Sequence, residues 1–192
     1  MKILACMKEQ RKRITHFFSL LYRFYLNYTI MPDQKVIILM GSKSDADFSA
    51  TIADSLTHFD IKCEFRIASA HKTPRELLKI LEEHEKSEAK IVYITVAGLS
   101  DALSGTVAGF TKHPVIACPP DSPKHGWAKI FSSTMTPRGV PVLFIAEPEN
   151  AALAAVKILA IADTSLHKKI AAYHRRKREA VIEADKELRE DL

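Results

Sequence analysis

From residue 31 onward the chain alternates short runs of β-branched and apolar residues with segments of helix length. Residues 35–40 (KVIILM) form an unbroken apolar run closed by Gly41, the pattern of a strand buried on both faces. Residues 45–59 then repeat apolar side chains at helical spacing, with Phe48, Ile52, Leu56 and Phe59 on one face. A second strand is expected over 63–68. Residues 73–85 predict a helix with Pro74 in its first turn and Leu77, Leu78 and Leu81 on its packed face. A third strand over 91–97 (IVYITVA) leads through Gly98 into a small-residue helix ending near Thr111. Strands four and five are expected at 115–118 and 140–146, and a small, closely packing helix at 151–162.

Strands that alternate with helices imply a parallel sheet, because each crossover helix returns the chain to the same edge. The prediction is an α/β fold: a three-layer αβα sandwich with a five-stranded parallel sheet in the flavodoxin-like order 2-1-3-4-5, plus a C-terminal helix. In such sheets ligands sit beyond the carboxyl ends of the strands, near the point where strand order reverses. The last helix, over 165–192, is basic early (Lys168, Lys169, Arg175, Arg176, Arg178) and acidic at its end (Glu187, Glu190, Asp191). That order opposes the helix macrodipole. It reads as a solvated helix frayed at its end, or as one docked in subunit contacts.

A chain of 192 residues suits one domain with a substantial core. Three scattered cysteines (Cys6, Cys63, Cys118) suggest neither a disulfide framework nor a zinc site, and fit a reducing, cytoplasmic compartment. The formal charge of +5 first hints at nucleic acid, but it sits in one place. Residues 1–30 hold six basic side chains and one acid, which leaves 22 of each sign for 31–192. The domain is neutral, so no nucleic-acid partner is expected. Within 1–30, an aromatic run over 14–30 follows basic residues 8–13, but Arg23 interrupts it and no small-x-small cleavage site follows. It is too short to span a bilayer, so no membrane is expected. Residues 1–30 are read as translated leader or a disordered extension ahead of a start at Met31, with an amphipathic surface helix or short targeting segment as the alternative. The catalytic domain is set at 31–164.

Chemistry gathers in three loops that follow strands one to three. Gly41-Ser42-Lys43-Ser44-Asp45 enters a helix, where glycine admits close approach and free N–H groups face an anion such as phosphate. Ser42 and Ser44 add hydroxyl donors, whereas Asp45 would repel phosphate and suits a pair of sugar hydroxyls. Capping of the helix accounts for Ser44 or Asp45 taken singly. The pattern is neither GxGxxG nor a Walker A loop. In Ser69-Ala70-His71-Lys72, a histidine beside a lysine suits proton transfer next to an anion. The loop Gly98-Leu99-Ser100-Asp101 then enters a small-residue helix; it shapes a flat pocket for a ring, or simply packs closely.

Five ordered motifs between Val36 and Leu159 carry a resemblance: MGSKSD (40–45), SAHKTP (69–74), VAGLSDALSG (96–105), PVIACPP (114–120) and EPENAALAA (147–155). Together they resemble the PurE family, the phosphoribosylaminoimidazole carboxylases of purine synthesis and their mutase relatives. The mutase class looks like SAHRTP followed by AGGAAHLPG. Here Lys72 stands at that arginine and Ala102 at that second histidine, so the chain is more similar to class II, which carboxylates 5-aminoimidazole ribonucleotide directly with CO2. Class II usually reads AGRSN; Leu99 and Asp101 replace its arginine and asparagine. An acid gained there is expected to weaken product carboxylate binding or alter subunit contacts.

The resemblance implies an enzyme that needs no metal, biotin or ATP. It places Ser42, Asp45, Ser69 and Lys72 on phosphate and ribose, and Gly98 and Ser100 around the base. Chemistry then assigns Ser42, Ser69 and Lys72 to phosphate, with Ser44 and Ala70 beside them, and Asp45 to ribose. His71 is the expected catalytic base. The partners implied are a ribonucleotide and CO2, in a homotetramer or homo-octamer, with a small-residue surface such as 151–155 suiting subunit edges. The class I N5-carboxyaminoimidazole ribonucleotide mutase is the enzymatic alternative. A non-enzymatic flavodoxin-like module is the other, but a receiver would need acids that Met40-Gly41-Ser42 and Gly98-Leu99-Ser100 do not supply.

Overall fold

In the computed structural model, residues 33–121 and 126–190 are described; the expected leader lies outside them. Strand β1 (Gln34–Met40) pairs with β2 (Lys62–Ile67) on one side and β3 (Lys90–Val96) on the other. Beyond β3 come β4 (Val115–Ala117) and β5 (Leu143–Phe144), giving a five-stranded parallel sheet in the order β2-β1-β3-β4-β5. The expected strand order is the one observed. Helices α1 (Ala46–Thr57), α2 (Pro74–Glu85) and α3 (Ala102–Phe110) follow the first three strands. Then come a short α4 (Ile130–Thr134), α5 (Pro148–Ala160) and the long α6 (Ser165–Glu190).

The apolar run of β1 serves both faces because alternate side chains point opposite ways. Val36, Ile38 and Met40 join Val92 and Ile94 of β3 beneath α1, α5 and α6. Ile37 and Leu39 join Ile91 and Tyr93 beneath α2 and α3. Three layers follow from that alternation. In α5 the small residues Ala151, Ala152 and Ala155 are fully buried in the first of these cores. This corrects the expectation of a small-residue subunit surface there: absent side chains let α5 sit close on the sheet.

Four boundaries or faces differ from the sequence reading. The helix expected from residue 45 begins as a 3-10 turn at Lys43–Asp45 and turns α-helical at Ala46. Leu78 is solvent-exposed, and the buried face of α2 runs through Leu77, Ile80, Leu81 and His84. Strand five shrinks to two residues; Pro141 has no N–H for a ladder, and the strand lies at a sheet edge. Helix α4 had no periodic signal, being only five residues long.

Helix α6 exists despite its unfavourable charge order because its first half is anchored. Leu166 is buried, and Tyr173 packs on Phe59 with ring centroids 5.3 Å apart. Lys169 donates to the Phe59 carbonyl at 2.9 Å, and Lys177 pairs with Glu149 at 3.1 Å. Beyond Arg178 the described helix is exposed throughout, Val181, Ile182 and Leu188 included. Among the described residues no helix is long and apolar enough to cross a membrane.

Between α2 and the sheet lies a polar network with a pH signature. His84 is buried, with Nδ1 3.0 Å from the Tyr93 hydroxyl and Nε2 3.3 Å from Glu64. Burial works against the charge on Glu64, yet hydrogen bonds from Lys35 and Arg66 outweigh it and bring its carboxyl down to about 2. Burial holds the His84 imidazole below its ordinary range; the Glu64 charge favours a proton there, but burial, with the Lys35 and Arg66 charges, outweighs it. Burial does the same to His113. In each case the unfolded chain binds more protons than the folded one, so stability rises with pH. The thermal midpoint is therefore expected to fall as pH drops below about 6.5, where free imidazole charges, and again below about 4.3 towards 2 as Glu64 protonates. A scan from pH 8 to 3 reads both stages. His84→Asn should shrink the upper stage, and a flat midpoint between pH 7 and 5.5 in the unaltered protein would contradict this account.

Candidate active site

The carboxyl ends of the inner strands are tied together by backbone bonds that carry the sheet into its loops. Gly41 N–H donates to Val96 O at 2.8 Å, Ala68 N–H to Met40 O at 2.9 Å, and Cys118 N–H to Thr95 O at 2.9 Å. Three loops are thereby held side by side, and a cavity of about 300 Å³ opens between them. Ser42, Ser44 and Asp45 line it from the first loop, Ser69, Ala70, His71 and Lys72 from the second, and Gly98 and Ser100 from the third. All nine residues singled out from the sequence meet there. Gly41, Ala97, Leu99 and Leu103 complete the lining.

Asp45 is the buried acid of this cavity. Its Oδ2 accepts the Ser42 N–H at 3.0 Å and the Ser42 hydroxyl at 3.4 Å, so it does brace the turn. Its other oxygen faces Gly98: a Cβ added at Gly98 would come within 3.3 Å of Oδ1. A side chain at 98 would therefore crowd Asp45, whose Oδ2 braces the turn while Oδ1 lies against Gly98. Burial raises its carboxyl above the usual range, and the two Ser42 hydrogen bonds partly offset that rise.

The second loop is a closed turn. Ser69 N–H donates to Thr73 Oγ1 at 2.9 Å, Thr73 N–H to Ser69 O at 2.9 Å, and Lys72 N–H to Ser69 Oγ at 3.2 Å. The backbone under His71 is therefore fixed, while the His71 and Lys72 side chains stand exposed on the cavity wall. Across from them the Ser42 and Ser44 hydroxyls are hydrogen-bonded to one another. Two hydroxyls and an ammonium line one opening, and of the side chains in the Ala97–Ser100 wall beside it only that of Ser100 is polar.

Asp101 corrects the expectation drawn from its charge. It is 2% exposed and turned away from the cavity. Its Oδ1 accepts the Ser104 N–H at 2.9 Å, capping α3, and its Oδ2 accepts the Ser133 hydroxyl at 2.7 Å, clasping α4. The acid is consumed by structure. Leu99 does line the cavity, 62% exposed. Cys118 is fully buried, and burial with the nearby Glu147 charge pushes its thiol up to about 12, so it packs rather than reacts. The segment around α4, which touches the third loop, carried no chemical signal in the sequence.

The sequence profile of the AIR carboxylase family matches residues 35–180. A phosphoribosylaminoimidazole carboxylase of Archaeoglobus fulgidus is 50% identical over 155 residues, covering 81% of this chain and 85% of that protein. An N5-carboxyaminoimidazole ribonucleotide mutase of Methanocaldococcus jannaschii is 36% identical over 157 residues, covering 81% and 98%. The crystal structure of Treponema denticola PurE superposes with a TM-score of 0.78 at 41% identity, covering 81% of this chain and 98% of that one. With this fold, these three loops and a match spanning most of the domain, the chain belongs to the AIR carboxylase family of purine biosynthesis.

Proposed function

We propose that this protein carboxylates 5-aminoimidazole ribonucleotide with CO2, reversibly and without ATP or biotin, to give the 4-carboxy nucleotide. The observation that carries this reading is His71, the one imidazole among the described residues of the cavity lining, set beside the Ser42 and Ser44 hydroxyls, Lys72 and a buried acid. One base suits a reaction with one proton to move. The exocyclic amine makes the ring carbon nucleophilic. Its electron pair forms the C–C bond to CO2, and a C=O pair moves onto oxygen to give the carboxylate. His71 then takes the displaced ring proton, restoring aromaticity, and returns it in the reverse reaction. In this reading Ser42, Ser69 and Lys72 hold the phosphate with Ser44 and Ala70 alongside, Asp45 the ribose hydroxyls, and Gly98 and Ser100 the base.

Lys72 and Ala102, in place of the arginine and second histidine expected of a mutase, favour the carboxylase. Lysine offers a point charge where a guanidinium would fork. The deciding assay supplies either aminoimidazole ribonucleotide with bicarbonate or the N5-carboxylated isomer, with no ATP present. Carboxylated product from the first alone is expected. Product from the second alone makes this a mutase, and binding without turnover of either makes it a non-enzymatic module. The same reading places the enzyme in the cytoplasm as a homotetramer or homo-octamer, with the exposed outer half of α6 in subunit contacts; sedimentation of the preparation used for the assay tests the assembly.

A further inference from the structure

The three loops around the cavity are not held alike. The first is braced within itself, by the Asp45 carboxylate on the Ser42 N–H. The second is closed within itself, by the bonds between Ser69 and Thr73. The third has no brace of its own: Gly98, Leu99 and Ser100 make no hydrogen bond to another described residue. It is tied behind them where Val96 O accepts the Gly41 N–H at 2.8 Å, and ahead of them only at Asp101.

The forward tie belongs to α4. The Ser132 hydroxyl donates to the Lys129 carbonyl at 2.7 Å, which leaves its oxygen to accept the Asp101 N–H at 2.9 Å. Ser133 donates to Asp101 Oδ2 at 2.7 Å, while Oδ1 caps α3. Two consecutive serines thus hold the backbone and the side chain of one loop residue. Apolar packing gives little help there, because a hollow of about 570 Å³ opens between Leu99 and Ser100 on one side and Ala128 and Phe131 on the other. The chain after α4 is in turn seated against α3. A Cβ added at Gly105 would lie 3.6 Å from Thr136 Cγ2, and one at Gly109 3.6 Å from Val140 Cγ2.

Resting on the carboxylase reading, in which Gly98 and Ser100 hold the base, we infer that Ser132 is a positioning residue for the base. Its hydroxyl sets the Gly98–Ser100 wall before the nucleotide arrives. Without it the Asp101 N–H loses its partner and the wall hangs between Val96 and the α3 cap. Binding of the base must then supply the ordering of those residues, and that ordering is subtracted from affinity. The phosphate and ribose are spared, because the loops assigned to them brace themselves. Ser132 therefore governs how well the ring is held and leaves the sugar phosphate alone.

The test is calorimetric titration of Ser132→Ala with two ligands, aminoimidazole ribonucleotide and ribose 5-phosphate, which has the same phosphate and sugar but no base. The nucleotide should bind about 10–100-fold more weakly, as expected when a few backbone residues must be ordered on binding. Ribose 5-phosphate should bind within about twofold of the unaltered protein. Ser132→Thr keeps the hydroxyl and should restore most of the loss. Equal weakening of both ligands, of the sugar phosphate alone, or of neither overturns the assignment. If Ser132→Ala does not fold, Ser132→Cys is titrated in its place and read by the same criterion. Failure of the carboxylase reading shows separately, as an unaltered protein that makes no carboxylated nucleotide from bicarbonate.

Discussion

Replacing His71 by asparagine removes most turnover, by about 10²–10⁴-fold, while the nucleotide still binds. The geometry supports so clean a separation. His71 stands exposed on the cavity wall, on a turn whose backbone is locked by Ser69 and Thr73 rather than by the imidazole. Losing the ring therefore costs no support for the loop, and asparagine keeps a polar group without a basic nitrogen. The neighbouring side chain provides the contrast. Lys72→Ala should leave kcat largely intact and raise KM by about 10–100-fold, the loss of one charged contact to phosphate. Steady-state kinetics on both variants, with direct nucleotide binding, read the two effects apart. Near-normal turnover in His71→Asn would remove the base from the mechanism.

Asp101→Ala destabilises the fold by about 2–4 kcal/mol, by losing a helix cap and by orphaning a buried hydroxyl. The cap is the bond to Ser104 N–H, and the hydroxyl is that of the buried Ser133. Asp101→Asn should lose only about 1 kcal/mol or less, because its amide oxygen still accepts from Ser104 and its NH2 can donate to Ser133. Urea unfolding of the two variants measures the difference. Since the loop above Asp101 lines the cavity, the alanine variant also loses nucleotide affinity; an alanine variant as stable as the unaltered chain would mean that the clasp on α4 is idle.

Much of this molecule was legible in local pattern. The unbroken run of β1, the helical period from Phe48 to Leu56, and proline at the head of α2 each state their own conformation, because backbone preference and side-chain period act over a few residues. Parallel strands then had to place their loops at one edge, so Ser42, Asp45, His71, Lys72 and Gly98 were expected to meet before any coordinate was known. Asp45, read as either cap or sugar ligand, braces its turn through Oδ2, while Oδ1 lies against Gly98.

What remained hidden depends on partners far away in the chain. The partner that claims the charge of Asp101 lies 32 positions on, in a helix too short to announce itself. Leu78 and Ile80 trade places because two stripes at helical spacing pass through Leu77 and Leu81, and packing on the sheet buries the one that runs through Ile80 and His84. The alanines of α5 look like a surface until the sheet closes over them. Lys129 was one lysine among many, and only packing removes its Nζ from water. Period and turn chemistry determine which elements form and which edge carries the loops. Desolvation determines which polar groups are spent and which still need a ligand, and it exists only once the layers have packed.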